Sequence, residues 1–189
     1  HGINDAGAYI EANIVEVQFL GRRSPGHRDL VAPLRAAEDE LRRRGPLPKI
    51  KSFWSFVPRR IEGTNKLSNH ARGRAIDIDP ATNPMIKHRD DILVIRAATG
   101  VDFGAPQNAA TLRAASNAFR STFSEDWIRS QSADVAAAAG RRRRELAGYA
   151  RFGLFTLDQA IVDALVSAGL RWGGSFPTRK DSMHFELRT

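Results

Sequence analysis

The 189-residue chain predicts an α+β fold: a small, mostly antiparallel sheet flanked by helices, with a helical insertion. Three observations point there. Short segments alternate apolar and polar residues in the strand sense, longer segments repeat apolar residues at helical spacing, and the two kinds follow one another without the regular alternation of a doubly wound parallel sheet. A chain of this length buries one respectable core and is short for two. Residues 1–189 are therefore expected to form a single domain, with about residues 90–150 as a helical insertion within it.

Residues 13–20, NIVEVQFL, set Val15, Val17 and Phe19 on one side of a strand and Glu16 and Gln18 on the other. Leu30, Leu34, Ala37 and Leu41 then make a helical stripe that Gly45 and Pro46 terminate. IKSFWSFV, residues 50–57, is rich in aromatics and reads as a second strand. In a third, Arg74 to Asp79, Ile76 and Ile78 face the core while Ala75, Asp77 and Asp79 share the opposite face.

The stretch from about 90 to 150 is rich in Ala and Arg, and its spacing, as in Leu112, Ala115, Phe119 and Phe123, predicts two or more helices. The run Arg141 to Arg144 within it reads as a solvated helix face, with contact to an anionic polymer as the alternative. Thr156 and Gln159 form a capping-box pattern ahead of a helix carrying Leu157, Ala160, Ile161, Ala164, Leu165 and Ala168, which Gly169 stops. A short strand and turn, LRWGG, follow. DSMHFELRT closes the chain as a terminal strand, with Met183, Phe185 and Leu187 alternating against His184 and Glu186.

With 29 basic against 21 acidic side chains the net charge is +8, which favours anionic partners such as nucleic acid, acidic lipid or bacterial wall polymers. No nucleic-acid-binding module accompanies that charge. The lack of cysteine excludes disulfides, thiolate metal sites and thiol nucleophiles, so any metal must be held by His and carboxylate. The longest apolar run, Val135 to Ala139, is far shorter than a membrane span. Ser-x-x-Lys, Gly-x-Ser-x-Gly and His-Glu-x-x-His patterns are missing, which counts against serine-type wall peptidases, α/β-hydrolases and thermolysin-like zincins. The start at His1, without initiator Met or signal-type segment, suggests a mature form or excised domain whose targeting segment is not visible.

The segment LSNHARGRAIDID, residues 67–79, places aspartates in an otherwise core-like strand, and buried carboxylates are costly unless a cation meets them. His70 and Asp77 would fall on opposite faces of a straight strand; Gly73 lets the chain turn between them, and Ala75 leaves room for a ligand. A catalytic zinc site takes three nitrogen and oxygen ligands and keeps a fourth position open. His184, in the apolar terminal strand, is the best third ligand, whereas His1, His27 and His88 read as surface residues. Asp181 is placed either to handle a proton beside such a metal or simply to cap a turn. Arg59 and Arg60 either face a carbonyl oxygen that gains negative charge or are solvated.

SNHARGRAID, residues 68–77, resembles the Ser-x-His-x-x-Gly-x-Ala-x-Asp signature of the VanX/VanY-type zinc peptidases, which include D-alanyl-D-alanine carboxypeptidases, dipeptidases and phage L-alanyl-D-glutamate endopeptidases. The terminal RWGG and DSMHFEL are similar to the family's second block. The resemblance implies one Zn2+ ion held by His70, Asp77 and His184, with Asp181 as catalytic base. RRIEGTNKLS resembles the Arg-x-x-x-Gly run ahead of the signature, which favours Arg59 over Arg60 as the transition-state arginine. Ser68 would help hold substrate, and Trp172 would be a pocket wall, with core packing as its alternative. VanX-like members carry Glu at the base position, roughly 1.5 Å longer than Asp181. Endopeptidase-like relatives often carry Asp there, which tilts the reading toward that branch.

The expected function is hydrolysis of amide bonds in peptidoglycan stem peptides or cross-links, by a periplasmic, secreted or otherwise wall-acting protein that the basic surface draws to anionic polymers. A non-catalytic zinc module with a Hedgehog-like related fold, binding wall or protein, is the alternative. A basic nucleic-acid-binding domain is a third reading.

Overall fold

The computed structural model describes residues 5–61, 63–177 and 179–188; His1, read above as a surface residue, lies outside them. Asp5 caps the first helix, α1 (Ala6–Asn13), its carboxylate accepting the Ala8 N–H at 3.0 Å. A hairpin follows, β1 (Ile14–Phe19) paired antiparallel with β2 (Arg22–His27). Leu20 (φ 47°) and Gly21 (φ 76°) make its two-residue turn, both left-handed as a type I′ turn requires. Leucine is a poor candidate for that conformation, which hides the hairpin from sequence; the Leu20 N–H is secured by the Glu38 carboxylate at 2.9 Å. Val17 and Phe19 are buried as expected, but Val15 is 37% exposed at the open end of the hairpin.

The next helix, α2 (Val31–Arg44), buries Leu34, Ala37 and Leu41 and stops at Gly45, as the stripe predicted. The strand expected over 50–57 is regular only at β3 (Phe53–Trp54). Beyond it Ser55 donates its N–H to the Ser24 hydroxyl, Phe56 to the Pro25 carbonyl and Val57 to the His70 carbonyl, so each backbone donor is satisfied outside a ladder. The third strand is β4 (Ala75–Ile78). Asp79 leaves it with φ 48° and accepts the Lys51 and Ser52 N–H groups at 2.7 Å each. It therefore does not share the face of Asp77, contrary to the alternation read from sequence.

After β5 (Met85–Ile86) come α3 (Arg89–Thr99), α4 (Ala109–Thr122), α5 (Glu125–Arg129), α6 (Ala133–Arg141) and α7 (Arg143–Phe152). Their apolar stripes supply Val94, Ile95, Leu112, Phe119, Ala138, Ala139 and Leu146 to a common core. Arg141, Arg143 and Arg144 of the basic run are exposed, as a solvated face requires, and acids of the bundle meet the run: Arg141 pairs with Asp90 at 2.8 Å, Arg142 forks onto Asp91 at 2.9 and 3.0 Å, and Arg143 meets Glu125. Thr156 does not cap the following helix, because its hydroxyl donates to Thr82; α8 (Gln159–Ser167) starts later than the capping box predicts, burying Ile161, Val162, Ala164 and Leu165.

The chain ends with β6 (Leu170–Trp172), β7 (Lys180–Asp181) and β8 (His184–Leu187), so the single terminal strand expected is in fact two. β7 pairs with β5, while β8 joins a four-stranded sheet of order β3-β4-β8-β6. The fold is α+β. Two compact units can be distinguished: one takes residues up to Asp79, Ala160–Arg171 and the residues from His184 on; the other takes Pro80–Gln159 and Trp172–Met183. Among the described residues no helix is long and apolar enough to cross a membrane.

Register decides what the sheet offers. Phe53 lies opposite Ile78 and Ile76 opposite Phe185, and all four are buried in the core. Trp54 lies opposite Asp77, Asp77 opposite His184, and Ala75 opposite Glu186, which puts Trp54, Asp77, His184 and Glu186 on the other face.

Candidate metal centre

His70 opens a 3-10 turn, His70–Arg72, and Ser68 caps it, accepting the Ala71 N–H at its hydroxyl (3.2 Å) and its carbonyl (3.0 Å). Gly73 closes the turn with φ 66°, its N–H on the His70 carbonyl at 2.9 Å. A Cβ there would stand 2.7 Å from both the His27 nitrogen and Ile14 Cδ1, so conformation and space both require glycine. The turn carries the chain back on itself, and β4 then presents Asp77 to the imidazole that preceded it.

Three donor atoms converge. His70 Nε2 lies 3.2 Å from Asp77 Oδ1, His184 Nδ1 lies 3.2 Å from the same oxygen, and the two nitrogens are 3.1 Å apart. A tetrahedral zinc ion with bonds of about 2.0 to 2.1 Å needs ligand atoms roughly 3.3 to 3.4 Å apart. The triangle is within a few tenths of an ångström of that requirement, so the three residues form a group that could hold a metal.

The outer contacts of the imidazoles fit the same role. His70 Nδ1–H donates to the Ser55 carbonyl at 2.7 Å, which leaves the Nε2 lone pair facing Asp77. On the other side His184 Nε2–H donates to the Glu186 carboxylate at 3.1 Å, leaving the Nδ1 lone pair inward. Three acceptors aimed at one point repel one another until a cation sits among them. The Glu186 carboxyl pKa is held low, first by its hydrogen bond with His184, against the opposing effect of burial, and the carboxylate accepts the Asn69 amide at 2.7 Å with Arg171 3.6 Å away.

Glu186, Asn69 and the Ser55 carbonyl were not singled out from sequence. Strand alternation already put Glu186 on the face of His184, so its orienting role had a signal; a backbone carbonyl supplied by an irregular segment had none.

A family model described as D-alanyl-D-alanine carboxypeptidase matches residues 62–187, two thirds of the chain. The chain belongs to the D-alanyl-D-alanine carboxypeptidase family. Within that carboxypeptidase-family span lie His70, Asp77, Asp181 and His184, whereas Arg59 precedes it. No curated protein and no solved structure matches the chain.

The remaining candidates in this carboxypeptidase-family chain are placed as follows. Ser68 is buried and spends its hydroxyl on the turn that carries His70. Arg59 is exposed; its carbonyl accepts the Ser68 N–H at 3.1 Å, and it lines a cavity of about 410 Å³ with Tyr9, Ile10, Phe56, Leu67 and Ala71. Asp181 is half-buried in β7 opposite Met85, three residues before His184 in the chain. Its neighbour Lys180 is fully buried with its ammonium on the Phe176 carbonyl, and burial pulls its pKa down. Trp172 is 5% exposed, donates Nε1–H to the Ser182 carbonyl at 2.9 Å and tilts against Phe155. His27, read as a surface residue, is instead buried, its Nδ1 accepting the Asp29 N–H at 3.1 Å; His88 is exposed and caps α3.

Proposed function

We propose that the protein is a zinc-dependent peptidase that hydrolyses amide bonds in peptidoglycan stem peptides or cross-links, as a carboxypeptidase or endopeptidase. The observation that carries the reading is the triangle of His70 Nε2, Asp77 Oδ1 and His184 Nδ1, with 3.1 to 3.2 Å sides, inside the span matched by the family. These three residues would hold the ion. When bound, zinc supplies Lewis acidity that polarises the scissile carbonyl and makes water a stronger acid.

The other steps fall to the chain's own groups. Asp181 takes the proton from the attacking water and delivers it to the leaving amine, so that the carboxylate ends as it began. The Arg59 guanidinium steadies the negative charge that develops on the carbonyl oxygen, a role typically worth about 3 to 4 kcal/mol. Ser55 and Glu186 keep both imidazoles in the tautomers that leave their lone pairs inward. The net charge of +8 supports action at an anionic cell wall, in the periplasm or outside the cell.

The test is mass spectrometry of defined muropeptides and whole sacculi after incubation with zinc-loaded protein. Release of D-alanine or of a shortened stem peptide is expected, and Asp181→Ala should keep zinc but lose hydrolysis. Intact peptides across several wall chemotypes would refute the proposal, and an Asp181→Ala protein as active as the parent would refute the assignment of the base.

A further inference from the structure

We infer that Trp54 is the substrate-contacting wall of this site and packs against an aliphatic side chain of the peptide beside the cleaved bond. The inference rests on the peptidase reading above. Its starting point is register: Trp54 stands directly opposite Asp77 on β4, and Asp77 directly opposite His184 on β8, so the three occupy neighbouring strands on one face. Directly opposed residues hold their Cβ atoms about 4.5 to 5.5 Å apart, within reach of any group seated over the metal-binding atoms.

Exposure makes the position unusual. Trp54 is 58% exposed, while Phe53, the residue before it, is buried in the core. Strand alternation thus forces the larger ring out onto the face that carries the donor triangle. A tryptophan left in water forgoes much of its burial free energy, and recovers it when an apolar surface covers it.

The backbone that carries the ring is also anchored. It pairs with Asp77, and the next residue, Ser55, takes the His70 Nδ1–H on its carbonyl. The Trp54 backbone is therefore held by two of the three segments that carry the donor atoms, which fixes the face from which its ring projects. Trp54 offers one N–H donor on an otherwise apolar surface. A methyl or methylene group flanking the scissile amide is the substrate part that this surface suits.

The experiment uses the zinc-loaded full chain and the stem pentapeptide L-Ala-γ-D-Glu-L-Lys-D-Ala-D-Ala, together with analogues in which one alanine at a time is replaced by glycine. Trp54→Ala should raise KM about tenfold with kcat within about twofold, and zinc stoichiometry and thermal midpoint should stay at the parent's values. Trp54→Phe should stay within about threefold of the parent. Removing the contacted methyl group should weaken the parent's kcat/KM and cost Trp54→Ala much less, the mark of a direct contact. An unchanged KM in Trp54→Ala, a loss explained by missing zinc, or equal penalties for parent and variant on every analogue would overturn the inference while leaving the peptidase reading in place. A parent that cleaves no stem peptide would overturn that reading and, with it, the role of Trp54.

Discussion

A buried aspartate, Asp91, and a half-buried one, Asp77, are stabilised in opposite ways. Asp91, on α3 of the helical unit, is 1% exposed and is met by a permanent cation, the Arg142 fork at 2.9 and 3.0 Å, with the Tyr149 hydroxyl 3.4 Å away. Asp77, on β4 of the sheet unit, meets two imidazoles whose outer N–H groups are already given to Ser55 and Glu186. The first arrangement is complete as the chain folds. The second gathers three lone pairs and supplies no lasting positive charge, an arrangement that could hold a metal, unlike an ion pair that only fastens helices.

The difference can be tested by removing each half. The largest effect is expected from Asp77→Ala: stoichiometric zinc, read by elemental analysis after dialysis, should vanish together with hydrolysis, while the metal-free protein keeps its urea midpoint. Retention of one zinc per chain would show that the two imidazoles suffice. Arg142→Ala should do the reverse, costing about 3 to 5 kcal/mol in urea unfolding by leaving the Asp91 carboxylate buried and unmatched, with zinc affinity in the surviving folded protein unchanged.

A smaller effect is expected one contact out from the three donor atoms. Glu186→Ala should weaken zinc binding by about 10- to 100-fold in competition with a chromogenic chelator, and Glu186→Gln by less, because the amide oxygen still accepts the His184 N–H. Equal affinities for all three proteins would mean that His184 needs no outer partner. The smallest effect concerns Tyr149, whose phenol is pushed up to about 12 first by burial and then by the Asp91 charge. The folded state keeps this proton above pH 10, where the unfolded chain loses it. The corresponding stability is thus full below about pH 10, the ordinary value for tyrosine, and is lost as pH rises toward 12. Tyr149→Phe should flatten the decline in thermal midpoint over that range.

Much of this site was legible because local chemistry alone determines it. Gly73 is needed for a left-handed turn, and alternation separates Asp77 from Ile76 and Ile78; both are read within a few residues. What escaped depends on partners far along the chain. The β1–β2 hairpin turns on Leu20, which favours no such turn by itself, and Asp79 is drawn out of its strand by the N–H groups of Lys51 and Ser52. The partners of the basic run escaped because the acids that meet it, Asp90, Asp91 and Glu125, lie between 18 and 51 residues away. Trp54 was visible only as one aromatic among several until pairing with Asp77 fixed the side it faces.

The turn at Gly73 also limits how the gene can change. Between it and Asp77 each residue is counted by strand pairing, so one inserted or deleted codon would swap the two faces of β4, turning the carboxylate inward and an isoleucine outward. Length variation is tolerable elsewhere, for example in the exposed bend at Thr64–Lys66, but this four-residue interval behaves as a ruler, and natural variants should alter its letters without altering its length.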